Sequence, residues 1–101
     1  MSSEPFPAAI QLSLVCAVYN EQDSIAELLN RMAKALLLTG ADCEIVMVDD
    51  VSTDGTLAEL KKHLGSIPGL RVVELEKNVG QVRALSAGMT VAVGRWIVMM
   101  D

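Results

Sequence analysis

Short apolar runs alternate along the chain with longer stretches in which apolar residues recur every three or four positions. Leu12 to Val18 (Leu-Ser-Leu-Val-Cys-Ala-Val) reads as a first strand, and Ile25, Leu28, Leu29, Met32, Ala33 and Leu36 then mark one face of a helix. That helix is predicted over about Ser24 to Leu38, capped by Asp23 or Ser24 and ended by Thr39-Gly40. Ile45-Val-Met-Val48 is an unbroken apolar run, as expected of a strand covered on both faces. It ends in Asp49 and Asp50, after which Ser52 and Thr53 are candidate N-caps, Asp54 suits a first helical turn, and Leu57, Leu60 and Leu64 continue at helical spacing. Pro68-Gly69 punctuates the return to a third strand, Leu70 to Leu75, with Val73 and Leu75 on one face. Val82, Leu85, Met89 and Ala92 predict the apolar stripe of a third helix closed by Gly94, and Trp96 to Met100 is a fourth strand. Strand and helix alternate throughout. This predicts an α/β fold: a Rossmann-like parallel sheet of about four strands, built by right-handed crossovers with helices on both faces.

Composition bounds what such a sheet can do. With 101 residues, 51% of them hydrophobic, the chain is one domain at most, and its composition argues for a packed core. Residues 1 to 10 read as a loose proline-containing arm, and residues 11 to 101 as the folded portion. A net charge of −5 leaves no basic patch for a nucleic-acid backbone, so nucleic acid is excluded as a partner and any phosphate ligand needs a cation. Cys16 and Cys43 lack metal-ligand spacing and read as small core residues in a reducing compartment. No apolar run approaches the ~18 residues of a membrane span, and the N-terminus lacks the basic start of a signal peptide, which points to a cytoplasmic location. The apolar run at residues 96–100, followed by one aspartate, reads as part of something longer.

The polar residues collect after the strands. Tyr19 to Asp23, Asp49 to Gly55, Lys77 to Gln81 and Asp101 all follow the carboxyl ends of predicted strands, the edge where open parallel sheets bind ligands. A strand order of 3-2-1-4 puts the reversal between the first and fourth strands, with Asp49, Asp50 and Asp101 flanking a crevice that Tyr19 lines. Each residue also has a plainer reading. The paired aspartates suit caps or solvated turns, Tyr19 a rim, Glu21 a solvated face, and Asn78 to Gly80 a turn needing a left-handed residue. His63 falls on the helix side, away from the crevice. Neither a dinucleotide fingerprint nor a P-loop is present, so a phosphate-cradling glycine loop is not the mechanism. Carboxylates instead suit ribose hydroxyls and base N–H groups, with a divalent metal offsetting diphosphate charge, as at a nucleotide-sugar site.

Four stretches in order carry a family resemblance. Val18-Tyr-Asn-Glu21, Val48-Asp-Asp-Val-Ser-Thr-Asp-Gly-Thr56, Asn78-Val-Gly-Gln81 with Ala84-Leu85 and Ala87-Gly88, and Trp96-Ile-Val-Met-Met-Asp101 resemble the first half of a family 2 glycosyltransferase of the GT-A fold. The last two are most similar to the branch holding dolichyl-phosphate mannosyltransferase and bacterial polyprenyl-phosphate glycosyltransferases. The resemblance implies a truncated GT-A fold that binds a UDP- or GDP-hexose for transfer to a polyprenyl or dolichyl phosphate. It implies that Ala17 and Tyr19 line a nucleobase pocket, that Glu21 contacts the nucleotide, and that Asp50, beside Asp49, binds base or ribose. Gln81 falls near the diphosphate, and Asp101 matches the first aspartate of an Asp-x-Asp element that holds the ribose and Mg²⁺ or Mn²⁺. The second aspartate, the catalytic base, the acceptor half and any membrane segment would belong to the longer protein, at the cytoplasmic face of the membrane. One position departs from the family: Val51 stands where glycine is common, and a β-branched residue disfavours positive φ, so the turn is expected to be shaped differently. A non-catalytic binding or assembly module, a degenerate transferase, is the alternative. The 101-residue chain itself is expected to be inactive and to self-associate through its apolar fourth strand.

Overall fold

The computed structural model describes residues 9–100, so most of the expected N-terminal arm, and Asp101, lie outside the described residues. The elements in chain order are β1 (Leu12–Val18), a 3₁₀ turn (Gln22–Ser24), α1 (Ile25–Leu37), β2 (Cys43–Asp49), α2 (Thr56–Lys62), β3 (Leu70–Glu74), α3 (Gln81–Val91) and β4 (Trp96–Met100). All four strands are parallel and lie in the order β3-β2-β1-β4, as the sequence predicts.

The period-two alternation of the strands divides the core into two layers. Leu14, Cys16, Val18, Ile45, Met47 and Leu70 meet Ile25, Leu29 and Met32 of α1 and Leu60 of α2 on one face. Val15, Val46 and Val48 point the other way and meet Ala84 and Leu85 of α3, with Val73 and Leu75 packed alongside. The crossovers through α1 and α2 carry the chain from β1 outward to β3, and the crossover through α3 carries it back past β1 to β4. A right-handed return in the opposite direction requires a helix on the opposite face, which is where α3 lies.

The sequence pattern misplaced the buried stripe of α3. Leu85 is buried as expected, but Val82 is 78% exposed and Met89 39% exposed, and Ala84 and Gly88 are buried in their place. Small residues win this face because the helix lies almost against the sheet: a Cβ on Gly88 would stand 2.6 Å from Val15 Cγ1 and 2.8 Å from Val48 Cγ2. The helix also ends earlier than expected, at Val91, with Ala92 already extended. Gly94 serves a different purpose, passing so close to β1 that a Cβ there would meet Ser13 Oγ at 2.5 Å.

At the amino-terminal edge of the sheet a buried carboxylate ties this return loop down. Glu44, 4% exposed, accepts hydrogen bonds from the Ser13 hydroxyl, from Arg71 Nη1 at 2.8 Å and from the Val93 backbone N–H at 2.7 Å. Gly94 N donates to Ser13 Oγ at 2.8 Å, and Arg71 Nη1 also reaches the Val91 carbonyl at 2.9 Å. Burial pushes the Glu44 carboxyl up, but the hydrogen bonds from Ser13, Arg71 and Val93 together hold it below the usual glutamate value. The apolar-pattern reading gave no sign of this cluster, since Glu44 stands in the sequence as a charge bounding a strand.

Candidate functional site

The turn after β1 and the turn after β2 are zipped together by side chains. Val18 pairs with Asp49 in register, and the Asp50 N–H donates to the Val18 carbonyl at 3.0 Å, so the two turns leave the sheet side by side. Asn20 takes φ 51° and points its Oδ1 at the second turn, accepting from Thr53 N at 2.8 Å and from Asp54 N at 3.3 Å. Its own N–H donates to Ser52 Oγ at 3.0 Å. Glu21 N donates to Thr56 Oγ1 at 2.8 Å, and Gln22 Oε1 accepts from Gly55 N at 2.9 Å.

This zipper corrects the predicted helix entries. Ser52 and Thr53 are not N-caps, because α2 starts only at Thr56; Asp54 Oδ1 instead accepts the Thr56 N–H at 2.9 Å together with the Thr56 hydroxyl. The Thr56 hydroxyl is the main reason that the Asp54 carboxyl sits below its usual value. Likewise Ser24 makes no side-chain cap, and the chain enters α1 through the 3₁₀ turn.

Asp49 and Asp50 are both 3% exposed and do different things. Asp49 turns into the zipper, where Oδ1 accepts from Ser52 Oγ at 2.6 Å and Oδ2 from Ser52 N at 3.3 Å. Asp50 turns toward the loop before α3. Its Oδ1 accepts from Val79 N at 2.8 Å, and its Oδ2 from Gly80 N at 2.9 Å and Asn78 Nδ2 at 3.1 Å. Gly80, at φ 91°, supplies the left-handed backbone that aims two successive N–H groups at one carboxylate. Between these two anchors Val51 is held at φ 60°, so the expectation of a differently shaped turn fails. The hydrogen bonds of Asp49 and Asp50 on either side impose the glycine-like conformation on a valine.

A pocket of about 210 Å³ opens beside Asp50, lined by Ala17, Val18, Tyr19, Glu21, Asp50 and Gln81. Five of the seven residues singled out in the sequence therefore share one cavity at the carboxyl edge. Asp49 does not reach it, and Asp101 lies outside the described residues. Tyr19 is 47% exposed and forms one wall. Two carboxylates and one amide face the space, with no lysine or arginine in the lining, so it suits a ligand that presents N–H and O–H donors. Larger hollows of about 430 Å³ lie elsewhere. One, between the end of α1 and the start of β2, is walled mainly by aliphatic residues, and another, past the end of β3, carries Glu76, Lys77 and Arg83; the pocket beside Asp50 is the one that adjoins the end of β1, at the switch point of the sheet.

The described residues alone do not make up a metal site. Among the described residues no three His, Cys, Asp or Glu side chains form a group able to hold one, and the oxygens of Asp49 and Asp50 already accept hydrogen bonds. The role expected of Mg²⁺ or Mn²⁺ rests on Asp101 alone. Among the described residues no helix is long and apolar enough to cross a membrane.

Sequence reasoning left Asn20 without a role and gave Asn78 only a turn. Both are polar residues flanking a site, and both act by tying one turn to its neighbour. Asn78 Nδ2 also donates to the Asp50 carbonyl at 2.8 Å.

The same arrangement of strands and turns recurs in proteins already described. The chain is 42% identical over 94 residues to the dodecaprenyl-phosphate galacturonate synthase of Rhizobium johnstonii, which covers 92% of this chain and 28% of that protein. It is also 42% identical, over 92 residues, to the undecaprenyl-phosphate 4-deoxy-4-formamido-L-arabinose transferase of Edwardsiella ictaluri, with 89% of this chain and 28% of that protein covered. The structure of S. aureus TarS 1–349 in complex with UDP superposes with a TM-score of 0.77 at 31% identity, over 91% of this chain and 27% of that one. The chain thus spans a little over a quarter of the length of these relatives. The family model described as glycosyl transferase family 2 matches residues 13–101, and the chain, with its parallel sheet in the order 3-2-1-4 forming part of a GT-A fold, belongs to that family.

Proposed function

We propose that this chain is the donor-binding portion of a glycosyltransferase that takes a sugar from a nucleoside diphosphate and transfers it to a polyprenyl phosphate at the cytoplasmic face of a membrane. The observation that carries this reading is the pocket at the switch point of the sheet, where Ala17, Tyr19, Glu21, Asp50 and Gln81 converge. Supporting the acceptor class are two relatives named for a polyprenyl phosphate, the dodecaprenyl-phosphate galacturonate synthase and the undecaprenyl-phosphate 4-deoxy-4-formamido-L-arabinose transferase. The UDP complex of TarS supports a nucleotide as donor.

In this reading Tyr19 and Ala17 form the apolar wall for the base, Asp50 accepts a base N–H, and Glu21 accepts from a ribose hydroxyl. Gln81, the first residue of α3, lies nearest the diphosphate, where its amide and the helix N-terminus favour negative charge. A divalent ion held by Asp101 would neutralise the diphosphate when bound. The chain alone holds the donor without transferring the sugar.

Calorimetric titration with UDP and GDP tests this. Asp50→Ala is expected to weaken nucleotide binding by about 1 to 3 kcal/mol, the range for loss of a buried hydrogen-bonding partner. Unchanged affinity in a folded variant moves Asp50 to a purely structural role. Sugar transfer by the chain alone would overturn the division of labour proposed for it.

A further inference from the structure

The hollow of about 430 Å³ past the end of β3 is lined by two kinds of residue: Leu75, Val79 and Ala87 give it aliphatic walls, and Glu76, Lys77 and Arg83 give it charge. Arg83 and Ala87, one helical turn apart, fall on the same flank of α3, beside the buried Ala84 and Gly88. Leu75 and Val79 pack against the core on this face of the sheet, which fixes the aliphatic side of the hollow. Val79 also donates its N–H to Asp50 Oδ1 at 2.8 Å, so the loop at residues 78–80 lies between this hollow and the pocket beside Asp50.

Among the described residues, Arg31, Lys61, Lys62 and Arg71 each lie within ion-pair distance of a carboxylate, whereas Lys77 and Arg83 pair with none, not even with Glu76 in the same lining. Lys34 and Arg95 are unpaired as well, but Lys77 and Arg83 share one hollow. In a chain of net charge −5, two unpaired cations around an aliphatic recess suit an anion with an apolar body. A carboxylate brings one charge and two oxygens. A phosphate monoester brings close to two charges and three oxygens, enough to accept from an ammonium and a guanidinium together. We propose that this hollow binds a phosphate monoester carrying an apolar chain, the phosphate held by Lys77 and Arg83 and the chain laid on Leu75, Val79 and Ala87. Such a site is separate from the donor pocket and stands or falls independently of the nucleotide reading.

The test is titration of the ¹⁵N-labelled chain with octyl phosphate, inorganic phosphate and octanol, followed through its amide resonances. Octyl phosphate is expected to bind at least about tenfold tighter than either of the others, since burying about two methylenes supplies a factor of that size, and to shift residues 75–87 most. Inorganic phosphate binding as tightly removes the aliphatic wall from the site, and octanol binding as tightly removes the cations; either result overturns the proposal. So does failure of all three at millimolar concentration, which leaves Lys77 and Arg83 as solvated charges, and so do shifts confined to Ala17, Tyr19 and Gln81. Lys77→Ala and Arg83→Ala, both at exposed positions, are each expected to weaken octyl phosphate binding about fivefold or more, and unchanged affinity overturns the role of the residue replaced. Glu76→Gln removes the opposing charge and is expected to tighten binding about threefold; weaker binding overturns the placement of the phosphate. Phosphatidylcholine vesicles with and without phosphatidic acid separate the two sources of such an ester. Co-sedimentation that requires phosphatidic acid supports a membrane lipid, and octyl phosphate binding without co-sedimentation supports a soluble ester.

Discussion

Asn20 Oδ1 accepts the Thr53 backbone N–H at 2.8 Å, so a single side chain on the turn after β1 holds the turn after β2. Its neighbours on either side, Tyr19 and Glu21, are the ones that face the pocket. The polar signature of these two turns therefore splits by position: Asn20, Asp49, Ser52, Thr53 and Asp54 bind one another, whereas Tyr19, Glu21 and Asp50 line the pocket.

Removing that clasp should affect binding more than stability. The hydrogen bonds of Asn20 are exposed, so Asn20→Gly, which keeps the left-handed backbone available, should cost about 1 kcal/mol in denaturant unfolding. Asn20→Ala should cost roughly 1 kcal/mol more, because alanine is strained at φ 51°. Nucleotide affinity should fall in both, since Tyr19 and Glu21 lose their common anchor. Tyr19 is the single tyrosine of the chain, so a ¹⁹F label on it gives one resonance whose response to nucleotide reads the wall directly. Full retention of affinity in Asn20→Gly counts against the clasp as a positioning device.

Much of this arrangement was legible from residue order alone. Strand order, the two helical layers and the convergence of Tyr19, Glu21, Asp50 and Gln81 follow from where apolar runs end, because a parallel sheet brings every carboxyl end to one edge. The division of labour between Asp49 and Asp50 was not legible. Successive residues at a strand's end point to opposite sides, yet which one lines the pocket depends on loops closed by Ser52 and by Asn78 to Gly80. The buried face of α3 was misread for a related reason: at contact distance from the sheet, glycine and alanine outcompete Val82 and Met89, and hydrophobicity alone cannot rank them.

Val51 makes a direct test of imposed strain. A β-branched residue at φ 60° pays for the left-handed backbone, an expense of roughly 1 to 2 kcal/mol for an L-residue. Val51→Gly should remove it, offset in part by glycine's greater flexibility in the unfolded chain, and raise stability by up to about 1 kcal/mol. Thermal and urea unfolding report this; a loss beyond 1 kcal/mol would show that the valine side chain contributes packing that outweighs the strain.

Acid should unfasten the far end of the sheet. The Glu44 carboxyl lies below its usual 4.5 in the folded state, so its contribution is complete above the unfolded value and is lost as pH falls through the folded one. Stability should accordingly decline below about pH 4.5, and Glu44→Gln should flatten that part of the profile while lowering stability at neutral pH by about 2 kcal/mol. Chemical unfolding at pH 3, 5 and 7 distinguishes the outcomes. An equal acid slope in the variant would assign the decline to other carboxylates.

Metal removal should separate nucleoside from diphosphate. The pocket lining holds no group of metal ligands among the described residues, so uridine should bind equally well in EDTA and in Mg²⁺ or Mn²⁺. UDP, by contrast, faces Glu21 and Asp50 with its own negative charge, and its binding should improve when a divalent ion accompanies it. Calorimetry with both ligands in both buffers decides it. Metal-dependent uridine binding would place a cation within the pocket itself.

The edge formed by β4 should recruit a second copy of the chain. β4 pairs with β1 on one side, and among the described residues no strand pairs with the other. Its side chains are also uncovered: Trp96 is 67% exposed, Met99 53%, Val98 46% and Ile97 39%. An apolar edge of this kind offers unsatisfied backbone groups and bare side chains together, the combination that natural sheets blunt with lysine or proline. Burying ~400 Å² of apolar surface at about 25 cal/mol per Å² contributes about 10 kcal/mol before association entropy is subtracted, enough to favour a dimer or larger species at micromolar concentration. Sedimentation of the 101-residue chain should therefore show self-association, and Met99→Lys, which places a charge on that strand, should shift it toward monomer. A clean monomer at high micromolar concentration, with the amides of residues 96–100 protected from exchange, would mean that β4 is stable as an open edge and that its exposed side chains do not drive association.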